Sequence, residues 1–127
     1  MNRKIAITGT IFALLAVILG AMGAHALKKV LDAASLMSFE TGVRYQMYHG
    51  IALLFLSTTN LIIEKAKKLV YSLMLIGVLL FSGSIYLLAT NTLTSVDFKA
   101  IALATPLGGF FMISAWILLL LNIVKNK

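Results

Sequence analysis

Polar and apolar residues along this chain do not alternate with the short period of a half-buried strand. They fall in long blocks. Ile5 to Leu27 carries no charge before Lys28. Met47 to Ile63 is again largely apolar, closed by Glu64, Lys65, Lys67 and Lys68, and extended at its front by Arg44-Tyr45-Gln46-Met47-Tyr48-His49. Leu69 to Thr90 and Ala100 to Val124 are free of charge as well, with the polar connection Asn91 to Lys99 between them. A helix needs about 20 apolar residues to cross a bilayer, whereas barrel strands show short alternating segments. The pattern predicts one all-α domain, residues 1–127: an integral membrane bundle of four antiparallel helices, with spans near 5–27, 45–63, 69–90 and 100–124. A short amphipathic segment is expected between the first two, either lying on the outer membrane surface or entering the second span as one long helix.

Composition supports the membrane assignment. The 127 residues are 61% hydrophobic, 12% charged and without Cys, with a mean hydropathy of +1.00. A soluble domain holds about 25% charged residues to keep its surface in water, so a soluble globular domain, a disordered segment and a disulfide-stapled module are all excluded.

The formal net charge of +7 is first a statement about topology. Arg3, Lys4, Lys65, Lys67, Lys68, Lys125 and Lys127 fall on one side of the expected spans, and Lys28, Lys29, Arg44 and Lys99 on the other. Short cytoplasmic loops carry the excess of Lys and Arg, which places both termini in the cytoplasm. Basic residues at that face attract anionic lipid headgroups. Nucleic acid is not an expected partner, because a basic soluble face or an aromatic stacking platform is missing from the pattern.

The first 26 residues also fit a secretory signal, with Arg3 and Lys4 before an apolar run and Ala24-His25-Ala26 as a small-x-small cleavage site. A signal core is about 7–15 residues, and this run is longer. It reads as a span.

Helices in lipid associate through close packing and interhelical hydrogen bonds, so small residues mark contact faces. Gly9, Ala13, Ala16, Gly20, Gly23 and Ala24 form such a stripe on the first span. Ser72, Gly77, Ser82, Gly83 and Ser84 offer one on the third, and Ala104, Gly108, Gly109 and Ala115 on the fourth. Pro106, the only proline, suits a helix start, where its missing N–H costs nothing, or a kink that opens a cavity.

The segment from Lys28 to His49 carries the most chemistry. Asp32 or Ser35 can cap a helix there, and Gly42 is a candidate bend. At 100° per residue, Glu40, Arg44 and Tyr48 share one face, while Gly42, Tyr45, Gln46 and His49 share the next, with Asn60 below them. Three readings compete. A Glu40–Arg44 ion pair with interfacial Tyr rings anchors the second span. Alternatively, Arg44 meets the phosphate or carboxylate of a lipid or small amphiphile, oriented by the Tyr and Gln side chains. In the third, His25 and His49 with Glu40 hold a metal or act in catalysis, though their spacing matches no metal motif. No nucleophile motif, phosphate-binding loop or acidic pair appears, so neither a cofactor nor an enzyme is expected. Asp97 reads as a loop residue. With His49 placed near a span end, no ionisable group is expected at mid-membrane depth, where it would signal function.

Three segments carry a family resemblance: Gly20-Ala21-Met22-Gly23-Ala24-His25-Ala26-Leu27, then Phe39-Glu40-Thr41-Gly42-Val43-Arg44-Tyr45-Gln46-Met47-Tyr48-His49, then Thr105-Pro106-Leu107-Gly108-Gly109 ahead of Trp116. Together they resemble the signature of the small bacterial membrane proteins grouped as domain of unknown function 423, related to eukaryotic transmembrane protein 256. The resemblance covers nearly the whole chain. It implies a four-span protein of the bacterial plasma membrane and no particular reaction, and it places His25, Glu40, Arg44, Tyr45, Gln46, Tyr48 and His49 within the signature. The expected function is non-enzymatic: supporting membrane integrity, or binding a lipid or small amphiphile at the outer face. The alternative is a small transporter or an accessory subunit of a larger membrane complex. Membrane lipids, a second copy of the chain or another membrane protein are the expected partners.

Overall fold

The computed structural model describes residues 2–93 and 101–125. Asp97, Lys99 and Lys127, used above for the last loop and the charge count, lie outside the described residues. Four long helices make up the chain: α1 (Asn2–Ala24), α2 (Ala33–Thr58), α3 (Glu64–Ala89) and α4 (Ala104–Lys125). Short 3-10 turns at Leu27–Lys29 and Asn91–Leu93 lie in the first and third connections. At 1.5 Å per residue the helices run from about 33 to about 39 Å, enough for a hydrocarbon core of about 30 Å.

Local chemistry sets the helix ends. Asp32 caps α2, accepting a 2.7 Å hydrogen bond from the Ser35 backbone N–H. At the far end of α2 the Ser57 hydroxyl donates to the Leu54 carbonyl and the Thr58 hydroxyl to that of Phe55, which also accepts from the Thr59 backbone N–H, and Thr59 leaves the helix in an extended conformation. The helix therefore stops before residues 59–63, which hydropathy alone assigned to the second crossing; Asn60 lies in the connection and not on the helix face. At its front, α2 is continuous from Ala33 through Gly42 into the span. The amphipathic segment is its first turns. Pro106 is the third residue of α4, a helix start and not a kink.

The helices pack antiparallel, as two tight hairpins, α1 with α2 and α3 with α4, joined through α2 and α3. Each hairpin is closed by a pair of glycines. A Cβ at Gly9 would sit 2.7 Å from the Gly50 carbonyl oxygen, and one at Gly108 would sit 2.7 Å from that of Gly77. No side chain fits at either crossing, so the backbones meet directly. Of the first-span stripe, Gly9, Ala16 and Gly23 are buried, Ala13 and Gly20 are half-buried, and Ala24 is exposed. Gly109 has only Phe81, at 3.9 Å, near its would-be Cβ, so it faces open space beside the crossing that Gly108 makes.

α1, α3 and α4 are each long and apolar enough to span a membrane. α2 is not, because it carries Glu40, Arg44, Gln46 and His49. Packed along its length between α1 and α3, it shares their depth nonetheless. Beside Gly9 of α1 stands Gly50, beside Gly20 stands Val43, and beside Gly23 stands Phe39.

The hydrophobic core lies toward one end. Ile5, Leu53, Leu56, Ile62, Val70 and Met74 are nearly or fully inaccessible, and Phe12, Val78, Met112 and Ala115 continue the cluster to mid-height. That end is closed by Lys67, 1% exposed, whose ammonium donates to the Thr59 carbonyl at 2.8 Å and to Asn2 Oδ1 at 3.2 Å, with the Glu64 carboxylate at 3.5 Å. Lys67 was counted above with the lipid-facing cations. In the fold it ties three helix ends together.

Candidate functional site

The polar residues of α2 separate by face, and the two faces have different tasks. Gln46 and His49, 5% and 4% exposed, point into the bundle. Gln46 Nε2 donates to the Phe12 carbonyl at 2.9 Å, and its Oε1 accepts from the Tyr86 hydroxyl at 2.7 Å. One side chain thus links α1, α2 and α3. Just above it the Ser82 hydroxyl donates to the Gly42 carbonyl at 2.8 Å, and the Tyr86 ring packs on Phe39.

His49 is held at both nitrogens. Its Nδ1 lies 2.7 Å from the Tyr45 carbonyl and its Nε2 lies 3.0 Å from Trp116 Nε1. A carbonyl only accepts and an indole N–H only donates. The proton is therefore on Nδ1, the ring is neutral, and the Nε2 lone pair is taken by Trp116. With both nitrogens engaged, His49 has no lone pair to offer a metal. His25 is exposed after the end of α1, and the described residues contain no group of three His, Cys, Asp or Glu side chains arranged to hold a metal ion.

Because α2 begins at Ala33, twelve residues before the span expected from hydropathy, His49 is well inside the helix and level with the Gly9–Gly50 crossing of α1. His49 thus stands near the middle of the bundle's height and not near a helix end. Arg44 lies nearer the α1–α2 connection, next in sequence to Val43, which packs at Gly20 about one turn short of the end of α1.

Glu40, Arg44 and Tyr48 are exposed on the outer side of α2. The ion pair anticipated between Glu40 and Arg44 is not made; among the described residues the ion pair formed is that of Lys67 with Glu64. Arg44 instead reaches back one turn, and its Nη2 donates to the Thr41 hydroxyl at 3.0 Å. That direction is the one helix side chains favour, and it carries the guanidinium toward water. Tyr45 stacks between Tyr48 and Phe81, with ring centroids 5.5 and 5.2 Å away.

Around the first half of α2 the packing is open. A cleft of about 580 Å³ lies between α2, the end of α3 and the start of α4, lined by Ser35, Ser38, Thr41, Ile85, Thr105 and Pro106 among others. A second, of about 350 Å³, continues deeper, bounded by Thr41, Tyr45, His49, Phe81, Gly109 and Trp116. Thr41 borders both, so the two adjoin there. On the opposite side of α2, a cleft of about 380 Å³ against α1 holds Lys28, Glu40 and Arg44.

The sequence reading missed Thr41, Phe81, Tyr86 and Trp116 as partners of the cluster, and Lys67 as the tie at the other end. Tyr86 carried a usable signal, a phenol alone among Leu and Ile, since a buried tyrosine hydroxyl finds a partner. Thr41 carried none.

Comparison with known proteins agrees with this architecture. A family model described as protein of unknown function (DUF423) matches residues 19–109. The chain is 40% identical over 111 residues to a UPF0382 membrane protein of Haemophilus influenzae, covering 87% of this chain and 86% of that one. It is 36% identical over 121 residues to UPF0382 membrane protein YwdK of Bacillus subtilis, covering 94% of each. It is 33% identical over 126 residues to UPF0382 inner membrane protein YgdD of Escherichia coli, covering 96% of this chain and 87% of the relative. No solved structure matches. Four antiparallel helices, three of them apolar enough to span, and these bacterial relatives along almost the whole length lead to one conclusion: the chain belongs to the DUF423, or UPF0382, family of multi-pass membrane proteins.

Proposed function

We propose that this protein is a non-enzymatic component of the bacterial plasma membrane that binds a lipid or small amphiphile from the outer leaflet. The observation that carries the reading is an asymmetry along the bundle. The end with the α2–α3 connection is solid and tied by Lys67, while the end with the α1–α2 connection is hollow and lined by apolar walls, hydroxyls and the cations Lys28 and Arg44. Arg44 has no carboxylate partner among the described residues, and an ionisable group within membrane depth signals function by default. Mass spectrometry of the protein released from mild detergent tests the proposal: lipid carried by the native chain and depleted in Arg44→Ala supports it, and lipid-free folded protein refutes it.

Both termini belong in the cytoplasm by the charge bias. Antiparallel packing gathers Arg3, Lys4, Lys65, Lys68 and Lys125 at the solid end, which makes the hollow end the outer one. The chain has no Cys, so single cysteines at Lys28 and Lys65 report orientation cleanly. An impermeant maleimide added to whole cells should label the first and spare the second.

The alternative of a small transporter is less well supported. It needs a passage through the bundle, and the buried cluster from Ile5 to Leu119 fills the inner half.

A further inference from the structure

Of the clefts at the hollow end, the one between α1 and α2 is lined by charge. Lys28, Glu40 and Arg44 border about 380 Å³ of space, a volume within the usual range of ligand pockets. The α1 wall has almost no side chain, because it is made by Gly20, Gly23 and Ala24. Opposite stand Leu36, Phe39 and Val43 of α2, so the floor is apolar. The three charges do not neutralise one another. Glu40 and Arg44 are one turn apart on α2, a spacing at which ion pairs form, yet among the described residues neither they nor Lys28 take part in one. Arg44 gives Nη2 to the Thr41 hydroxyl, and a guanidinium has five N–H donors. The others remain for an anion.

Sign and order along the cleft select the occupant. A carboxylate in the lining opposes a plain anion, and two basic side chains oppose a plain cation. A ligand carrying both signs meets all three. α2 starts at the α1–α2 connection and runs inward, so Glu40 lies nearer that end and Arg44 about 6 Å deeper, four residues at 1.5 Å each. A phospholipid with a primary ammonium presents its charges in the same sequence, the ammonium outermost, the phosphate beneath it and the acyl chains below. Guanidinium and phosphate fit as a bidentate pair, and an ammonium donates N–H bonds to a carboxylate. The quaternary ammonium of phosphatidylcholine has no N–H to give and is held by aromatic cages instead; Phe39 is the one aromatic residue among those lining the cleft. Beside Arg44 the wall is Gly20 and Val43, which suits an acyl chain and not a free phosphate.

We infer that the cleft between α1 and α2 binds a zwitterionic phospholipid whose headgroup ends in a primary ammonium, with its phosphate held by Arg44 and Lys28 and its ammonium by Glu40. The inference rests on the lipid-binding reading above and names the cleft, the headgroup and the contacts.

Native mass spectrometry tests the inference on the full chain, delipidated in a mild non-ionic detergent. Phosphatidylethanolamine, phosphatidylglycerol and phosphatidylcholine of the same acyl composition are titrated in turn, and each bound lipid is resolved by its mass. Phosphatidylethanolamine should bind about threefold more tightly than either of the others, the size of effect that one exposed ion pair gives. Glu40→Gln should reverse the order of phosphatidylethanolamine and phosphatidylglycerol, because both cations remain and the ammonium loses its partner. Lys28→Gln and Arg44→Gln should weaken these two lipids alike. Ala24→Leu, at an exposed position that lines the cleft, should abolish the preference while leaving the melting temperature unchanged. Gly109→Leu, on the other side of α2, should leave the preference intact.

A parent protein that prefers phosphatidylglycerol, or that binds all three lipids alike, overturns the inference, as does a preference that survives Ala24→Leu. Loss of the preference in Gly109→Leu would overturn it in favour of the clefts between α2 and α4. Displacement of the lipid by an equal concentration of phosphoethanolamine or inorganic phosphate would overturn the choice of a lipid. The broader reading fails separately: lipid that travels with the native chain and is unaffected by Ala24→Leu leaves lipid binding standing and removes only this cleft, whereas lipid-free folded protein removes both.

Discussion

The two ends of the bundle are built from the same four helices and differ in what fills the space between them. At the α2–α3 end, Leu53, Leu56, Val70 and Met74 interlock and Lys67 draws the Thr59 carbonyl and Asn2 into a closed knot. At the other end, small and hydroxylated residues of α2 face α3 and α4 without meeting them fully, and Arg44 donates through Nη2 to one threonine. Lipid tails offer no hydrophobic drive to bring helices together, so packing must come from fitted shapes and hydrogen bonds. Where both are present the bundle is shut. Where neither is complete, clefts remain between the helices.

Substitutions can break this contrast or sharpen it. The largest effect is expected from Gly108→Leu, whose side chain would enter the backbone of Gly77 and Phe81; overpacking costs about 1–3 kcal/mol where neighbours can yield, and backbone cannot. Folded yield in detergent should fall sharply, whereas the adjacent Gly109→Leu should yield and melt like the parent. Next is Lys67→Met, which leaves the buried Thr59 carbonyl without its donor and should lower stability by about 1–3 kcal/mol, read as a lower melting temperature. Equal stability would mean that the closed end is held by apolar packing alone.

Gln46→Leu removes two interhelical bonds near mid-bundle, each worth about 0.6 kcal/mol on average in a membrane. It should lower the melting temperature less than Lys67→Met does and should speed the hydrogen exchange of α1 amides only a little. The smallest effect belongs to Asp32→Ala at the hollow end. The Ser35 backbone N–H holds the Asp32 carboxyl below its ordinary value of 3.8. A depressed folded value means that the cap stabilises α2 fully above the ordinary value and is lost as pH falls through the folded one. Exchange at the first turn of α2 should therefore speed up on strong acidification in the parent and be fast at every pH in Asp32→Ala.

Several features of the chain were legible before any coordinates. Charge-free blocks of about twenty residues admit one solution in lipid, because every backbone N–H and C=O must bond within its own helix. The small-residue stripe of the first span pointed to Gly9, and the 100° spacing separated the exposed Glu40, Arg44 and Tyr48 from Gly42, Gln46 and His49, which are buried, though Tyr45, assigned to that second face, is exposed. The start of α2 was not legible from hydropathy, which registers polar residues as membrane exit. Packed against α1 and α3, a polar helix can continue at depth, since Phe12, Tyr86 and Trp116 satisfy what Gln46 and His49 present.

What the sequence determined by itself is the number of long helices, their class and the family, since these follow from local composition and from the order of residues. Only the tertiary structure decided which polar groups are spent inside and which remain available. Lys67, an ordinary loop cation by spacing, is consumed by a carbonyl eight residues away and by an asparagine 65 residues away. Arg44, expected to pair with Glu40, is left with a single threonine. Pairing depends on where other helices place their donors and acceptors, and no local pattern encodes that placement.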